Sequence, residues 1–75
     1  MGGGHWVKEK TGRGEYVLLE DGSLWEISRL DRTYTALWLA TESVVVLTNA
    51  AGLFPYKLLN TDTREVVEAR YVGRR

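Results

Sequence analysis

The sequence predicts an all-β fold: a small antiparallel barrel of five to six strands, SH3-like, with one short helical turn near residues 30–38. Three observations support this prediction. Runs of β-branched and aromatic residues recur about every ten residues, tight-turn residues separate them, and no long stretch keeps a helical spacing. The 75 residues make one domain without cysteine. The fold must therefore be stabilised by its apolar side chains, which form 44% of the chain.

The first half of the chain carries the clearest hairpin signal. Strands are predicted at His5–Glu9, Tyr16–Leu19 and Leu24–Ile27, with a turn at Thr11–Gly14. The last two strands are joined through Asp21 and Gly22, and an Asp-Gly pair between β-prone runs is typical of a hairpin. Gly22 is expected at positive φ, because it has no Cβ to clash there.

Two registers of this hairpin are open. A two-residue turn places Leu18 opposite Trp25, whereas a three-residue loop with a glycine bulge puts Val17 and Leu19 on the face of Trp25. Both registers keep Trp25 and Ile27 on one face of the sheet. We therefore predict that Trp25 and Ile27 belong to the core.

The segment 28–43 fits two structures. Leu30, Tyr34, Leu37 and Trp38 recur at helical spacing, while the threonines and aromatic residues of the same segment favour a strand. We predict a long connection that holds one helical turn, with Asp31 as its candidate cap. Trp38 is expected to fold back onto the sheet.

The second half of the chain predicts three more strands. They are placed at Ser43–Thr48, Tyr56–Asn60 and Arg64–Val72, with turns at Asn49–Gly52 and Thr61–Thr63. In the last strand Val67, Ala69 and Tyr71 alternate with charged residues, which indicates one buried face. The predicted domain spans residues 5–73, between a flexible tail at 1–4 and a C-terminal tail at 74–75.

Several of these segments together resemble a pattern of small uncharacterised bacterial proteins. The pattern is carried by Leu19–Ile27 (LEDGSLWEI), Asp31, Arg32, Thr35, Trp38, Pro55–Thr63 (which contains NTDT) and Ala69–Gly73 (ARYVG). It covers most of residues 16–73. The resemblance implies a compact SH3-like β-barrel, often in exported or envelope-associated proteins. It implies no activity, so no functional residue is carried over from it.

Composition and charge argue against several classes of protein. Ten basic and ten acidic residues give a net charge of zero, unlike a protein dominated by phosphate binding. The longest apolar stretches, 36–40 and 44–47, are too short to span a bilayer. The absence of cysteine fits a reducing or an oxidising compartment. The sequence leaves the location open between the cytoplasm and, if a signal peptide has been removed, an exported state.

Residues that could carry catalysis or hold a metal are few. His5 is the only histidine, and its place beside a glycine tail argues against a metal site. The serines, including Ser23, have no histidine placed as a base. The single carboxylate of Asn60–Thr63 is too little for calcium, and Asx side chains that bond to the turn backbone explain this loop better. We expect no enzyme, no metal and no cofactor.

The sequence favours a non-enzymatic module that interacts with a protein or peptide. The predicted partner surface combines Arg29, Arg32, Tyr34 and Trp38 with Phe54. The inward-facing residues of the strands are needed for the core, so recognition is expected at the loops, and these loops carry aromatic and cationic side chains. A second copy of the chain is the simplest cover for an exposed Phe54. The alternative is a weak single-stranded nucleic-acid binder that uses Arg29, Arg32, Tyr34 and Trp38. The opposing interpretation is that Trp38 and Phe54 plug the ends of the barrel.

Overall fold

A computed structural model describes residues 4–11, 13–48 and 52–74, and this part of the chain forms a closed, six-stranded antiparallel barrel. Its strands are β1 (His5–Lys10), β2 (Tyr16–Leu19), β3 (Ser23–Ile27), β4 (Ser43–Thr48), β5 (Tyr56–Asn60) and β6 (Glu65–Arg74). Between β3 and β4 lie a 3-10 turn (Arg29–Asp31) and a helical turn, α1 (Arg32–Thr35). The predicted small all-β barrel with one short helical region is confirmed.

The strands follow each other around the barrel in the order β1-β2-β3-β6-β5-β4, and β4 pairs with β1 to close it. Along the chain this arrangement consists of two meanders, β1-β2-β3 and β4-β5-β6, each built from neighbouring antiparallel strands. The long connection between β3 and β4 joins the two meanders. Most strand pairing is therefore local in sequence.

The β2–β3 hairpin adopts the second of the two predicted registers. Val17 pairs with Trp25, so a three-residue loop joins the strands. In that loop Gly22 has a φ of 88°, and its N–H donates to the Leu19 carbonyl at 3.0 Å. The positive φ predicted for Gly22 is confirmed.

Alternate strand residues fill the interior of the barrel. The core consists of Val7, Val17, Leu19, Trp25, Ile27, Trp38, Val44, Leu58, Val67 and Ala69. Trp25 and Ile27, both predicted to be buried, are 6% and 0% exposed. Val46 and Tyr56 are half-buried and pack against this cluster. Within the described residues every buried side-chain nitrogen and oxygen has a hydrogen-bond partner, so the core carries no unpaired polar atom.

The helical turn is docked on the barrel by polar contacts. Asp31 stands at the N-cap position of α1 but makes no side-chain bond to the helix. Its carboxylate accepts instead from the Glu68 amide of β6 at 2.9 Å, so the predicted capping role is wrong. On the other side of the turn, the Thr35 hydroxyl donates to the Gly14 carbonyl at 2.6 Å.

Trp38 folds back into the barrel as predicted. The side chain is 1% exposed, and its Nε1–H donates to the Glu65 carboxylate at the start of β6, at 2.8 Å. An indole is buried readily when its N–H finds an acceptor. Trp38 therefore fixes the end of the connection to the interior.

The turn between β5 and β6 has the Asx geometry that the sequence predicted. Asn60 Oδ1 accepts from the amides of Asp62 at 2.9 Å and Thr63 at 3.1 Å. Its Nδ2 donates to the Glu42 carboxylate at 2.9 Å. Two amides of its own turn and the Glu42 carboxylate, which lies just before β4, therefore satisfy the Asn60 side chain.

The last strand is longer than predicted. β6 continues through Gly73 to Arg74, and Arg74 pairs with Ser23 at the start of β3. Arg74 thus belongs to the barrel and not to a tail. Predictions that fall on residues 1–3, 12, 49–51 and 75 lie outside the described residues.

Candidate functional site

One end of the barrel opens into a cleft of about 390 Å³, which we call the barrel mouth. Its lining comes from five strands and the β2–β3 loop: His5, Asp21, Ser23, Trp25, Val46, Tyr56, Tyr71 and Arg74. These residues are far apart in sequence. The closed barrel brings them together because β1, β3, β4, β5 and β6 each contribute a residue at this end.

Three aromatic side chains form the floor and walls of the barrel mouth. The Trp25 ring meets the Tyr56 ring at a centroid distance of 5.2 Å and an angle of 78°, and the Tyr71 ring at 5.3 Å and 66°. Both are the edge-to-face contacts that aromatic quadrupoles favour. Trp25 is buried beneath them, whereas Tyr71 is 46% exposed. The mouth thus has a fixed apolar floor and an accessible aromatic wall.

A short hydrogen-bond relay holds the floor in place. Trp25 Nε1–H donates to Ser23 Oγ at 2.9 Å, and the Ser23 hydroxyl donates to Asp21 Oδ1 at 2.6 Å. The same carboxylate oxygen accepts from the Ser23 amide at 2.9 Å. These bonds from the hydroxyl and the amide of Ser23 lower the pKa of Asp21, and the charges of His5 and Arg74 add to the effect.

Arg74 closes the rim of the barrel mouth beside this relay. Its Nη1–H donates to the Asp21 carbonyl at 2.7 Å, and its Nη2 lies 3.7 Å from the Asp21 carboxylate. The charge of Arg74 is therefore partly balanced within the chain. An uncharged group fits the space between the tyrosines better than an ion does, because neither charge at this rim is left alone.

His5 is not part of a tail. It is the first residue of β1 and pairs with Val44, and its Nδ1 lies 3.0 Å from Glu20 Oε2. Burial alone would raise the pKa of Glu20, but the hydrogen bonds from the Trp6 amide and from His5 lower it on balance. The strand predicted to begin at His5 is confirmed, while the predicted tail at residues 1–3 lies outside the described residues.

Three groups that could ligate a metal gather here: His5, Glu20 and Asp21, whose ligand atoms lie within 4.8 Å of one another. Contacts inside the chain already engage these groups. Glu20 binds the His5 ring and the Trp6 amide, and Asp21 binds Ser23. The cluster is accounted for as a hydrogen-bonded corner of the β2–β3 loop.

The hydroxyl of Ser23 is arranged for structure. It donates to a carboxylate and accepts from an indole N–H. A serine nucleophile needs a base that takes its proton, and imidazole is the usual one. The contacts of Ser23 resemble a buried structural relay, and the imidazole of His5 is engaged by Glu20 instead.

The structure separates the residues of the predicted partner surface. Trp38 lies in the core, so its assignment to that surface was wrong. Arg32 donates from Nε to the Ile27 carbonyl at 3.0 Å and lies 3.6 Å from the Glu26 carboxylate. Arg29 is exposed, Tyr34 is 47% exposed and Phe54 is half-buried. The resulting surface has few of the free cations and stacking rings that the prediction required.

Sequence reasoning missed the barrel mouth, although it singled out two of its residues. The Asp-Gly hairpin signal placed Trp25 on the inner face, and the alternation in the last strand placed Tyr71 there too. No local signal indicated that Tyr56 and Arg74 would meet them, because that meeting depends on the pairing of β3 with β6 and of β6 with β5.

In the described part of the chain, no helix has the length and apolar character needed to cross a membrane. Comparison with protein-family models, with curated proteins and with solved structures finds no match to this chain. The site is therefore interpreted from its own geometry.

Proposed function

We propose that the chain is a non-enzymatic interaction module, which binds a protein or peptide by receiving one large apolar side chain in the barrel mouth. The observation that carries this proposal is the solvent-open cleft of about 390 Å³ with Trp25, Tyr56 and Tyr71 around it. Ligand sites are typically concave, largely apolar and edged by a few fixed polar groups. The mouth has each of these properties.

The rigidity of the floor supports binding. Trp25 is fixed by its bond to Ser23 and by two edge-to-face contacts, so it does not need to be reordered when a ligand enters. Binding loses less free energy to ordering when the site is already organised. The exposed part of Tyr71 is then the surface that a ligand covers.

The polar rim supports selectivity for an uncharged side chain. Arg74 is held beside Asp21, and the His5 ring is hydrogen-bonded to Glu20, so the polar groups at the rim are largely engaged with each other. A charged ligand group would have to displace one of these pairs. A tryptophan, phenylalanine or leucine side chain would not.

Single-stranded nucleic acid is the alternative ligand, and the contacts of its predicted residues weaken it. Such binders need accessible stacking rings beside free cations. Trp38 is buried, and Arg32 is engaged by Glu26 and the Ile27 carbonyl. Net charge zero also removes the general attraction to phosphate.

The finer assignments from the sequence remain part of this proposal. They are the SH3-like class of the barrel, its origin among small bacterial proteins and a second copy of the chain as a candidate occupant. A confirmed antiparallel barrel supports the first without deciding it.

The proposal is tested with N-acetyl-tryptophan amide as the probe, followed by amide chemical shifts at millimolar concentrations. We expect shifts centred on Ser23, Trp25 and Tyr71, and at least about fivefold weaker binding in Tyr71→Ala, which loses the accessible wall. The matched control is Tyr16→Ala, because Tyr16 is an exposed tyrosine that does not line the mouth. Dispersed spectra of both variants confirm that they fold.

Two results would contradict the proposal. One is a set of shifts centred on residues 29–39, and the other is equal binding by Tyr71→Ala and the parent. A parallel titration with mixed single-stranded oligonucleotides at low and high salt tests the alternative. Binding that falls steeply with salt would favour nucleic acid, because counterion release produces that dependence.

A further inference from the structure

The barrel is closed by a short seam between β1 and β4. In the part of the chain that the structure describes, these strands pair at His5 with Val44 and at Trp6 with Ser43. On its other side β4 pairs with β5 at each residue from Val44 to Thr48. The end of β4 beyond Val44 therefore has a strand on one side, while no strand among residues 4–11, 13–48 and 52–74 pairs with its other side.

The backbone direction of β4 follows from its contacts. The Ser43 carbonyl accepts from the Thr61 amide at 2.9 Å, so the backbone groups of Ser43 point toward the β5 side. In an antiparallel strand the N–H and C=O of alternate residues point to alternate sides. The backbone groups of Val44, Val46 and Thr48 thus point toward the β1 side. There Val44 meets His5, and Val46 and Thr48 have no paired strand among the described residues, so they present an edge.

This edge runs along the wall of the barrel mouth. The side chain of Val46 lines the mouth and packs against the core, and His5 lines it from the neighbouring strand. Residues directly opposite each other in an antiparallel pair place their side chains on the same face. A strand that paired with Val46 would therefore direct the side chain opposite Val46 into the mouth, toward Trp25 and Tyr71.

From these observations we infer the form of the ligand, an inference that rests on the proposed function. The ligand is an extended peptide segment that adds to β4 as an antiparallel strand along Val46–Thr48, beyond the point where β1 begins at His5. Its residue opposite Val46, the anchor residue, inserts a large apolar side chain between Tyr56 and Tyr71. A row of backbone donors and acceptors beside an apolar cleft is the combination that strand-adding peptides use.

The geometry specifies which backbone bond matters. Val46 points its N–H and C=O toward the incoming strand, so the anchor residue itself donates to and accepts from Val46. The N–H groups of the residues before and after the anchor point away from β4. Methylation of the anchor nitrogen should therefore remove a bond, and methylation of the adjacent nitrogen should not.

The test begins with decapeptides selected from a random display library on the intact chain. Peptides that lose binding to Tyr71→Ala are synthesised in three forms: unmodified, N-methylated at the large apolar residue, and N-methylated at the residue beside it. We expect N-methylation at the large apolar residue to weaken binding at least about tenfold. N-methylation at the residue beside it should change the affinity less than about threefold. Equal losses, or none, would overturn strand addition while leaving binding in the mouth intact.

Two variants test the edge from the side of the protein. Thr48→Pro removes a backbone N–H that points to the unpaired side, and proline is tolerated at such edge positions. It should weaken peptide binding about tenfold without changing the binding of N-acetyl-tryptophan amide, while Thr48→Ala should affect neither. Equal peptide binding by Thr48→Pro and Thr48→Ala would overturn the inference.

A chain shortened to begin at His5 completes the test. The inferred contacts lie on β4 and in the mouth, so this chain should bind the selected peptides at least as tightly as the parent. Loss of binding would assign the peptide to the first four residues and overturn strand addition. The proposed function itself is tested separately, by the binding of N-acetyl-tryptophan amide. Weaker binding by Tyr71→Ala supports it, and equal binding contradicts it.

Discussion

At Gly14 the backbone of the loop before β2 lies directly against the helical turn α1. The residue has a φ of 76°, and a Cβ built on it would lie 2.4 Å from the Arg32 carbonyl oxygen and 2.4 Å from Thr35 Oγ1. This closeness allows the Thr35 hydroxyl to reach the Gly14 carbonyl. Only glycine satisfies both the backbone conformation and the space.

We expect Gly14→Ala to destabilise the barrel strongly. The matched control is Gly52→Ala, because Gly52 also has a positive φ, 63°, but no atom lies within 4 Å of the Cβ position. Both variants share the cost of the left-handed backbone, and Gly14→Ala adds a clash with fixed backbone atoms. Chemical denaturation should show Gly14→Ala less stable than the control by about 1–3 kcal/mol. Equal free energies of unfolding would mean that α1 can move away from this loop at little cost.

Among the elements, the β2–β3 hairpin depends on the ionised form of one side chain. The hydroxyl and then the amide of Ser23 lower the pKa of Asp21 below its ordinary value of 3.8. A carboxyl whose pKa is lower in the folded state stabilises the fold above its unfolded pKa. That contribution is lost as the pH falls through the folded pKa.

Asp21→Asn should therefore flatten the pH dependence of stability. Asparagine keeps an oxygen that can accept the Ser23 bonds, but it does not titrate. Free energies of unfolding measured from neutral pH down to about pH 3 should decrease less in Asp21→Asn than in the parent. Glu9→Gln, which removes a carboxylate from the exposed side of β1, is the control and should keep the parental slope. A parental slope in Asp21→Asn would assign the acid sensitivity to other carboxylates.

The elements also show which predictions a single sequence supports. The hairpin at Gly22 and the Asx turn at Asn60 were predicted because their hydrogen bonds lie within a few residues of each other. The connection was only half predicted. The helical spacing correctly predicted a helical turn and a Trp38 that folds back onto the sheet. Leu30 and Leu37 share that spacing, yet they are 85% and 79% exposed. Trp38 is buried where its indole N–H can donate to Glu65. That acceptor lies 27 residues away, so no local sequence pattern indicates it.

Across the whole molecule, the pairing that closes the barrel is unevenly distributed. Among the described residues, five pairs join β4 to β5 and five join β5 to β6, whereas two join β1 to β4. Beside these two pairs lie the bonds from the Val7 amide to Glu42 and from the Thr41 amide to Val7. The seam is therefore the place where the barrel should open first.

Hydrogen exchange can detect this opening. Val44 and Leu58 are a matched pair, because both side chains are 0% exposed while their amides belong to different pairings. The Val44 amide points to the β1 seam, and the Leu58 amide points to β6. We expect the Val44 amide to exchange at least about tenfold faster than that of Leu58 under native conditions. Similar rates would show that the barrel opens as one unit.

The mouth could not be predicted from sequence for a reason that also belongs to the whole molecule. Inward positions were assigned correctly on β3 and β6 for Trp25 and Val67, whereas Tyr71, expected on the same buried face of β6, is 46% exposed. Which end of the barrel stays open depends on how the six strands are staggered and on what fills the other end. Trp38 bonds to Glu65 at the start of β6, while the mouth lies at the other end of that strand. It is one of the two aromatic residues, with Phe54, for which the sequence left both interpretations open.

The first and the last strand residue of the barrel both lie at the mouth. His5 begins β1, Arg74 ends β6, and both residues line the cleft. Any reporter domain or surface tether joined through either end is delivered to the site at an effective concentration that reaches millimolar for a short linker. Such a fusion would compete with a weak ligand and would mask binding. The turn at 61–64 lies at the opposite end of β5 and β6, so a dye or an inserted tag placed there leaves the site accessible.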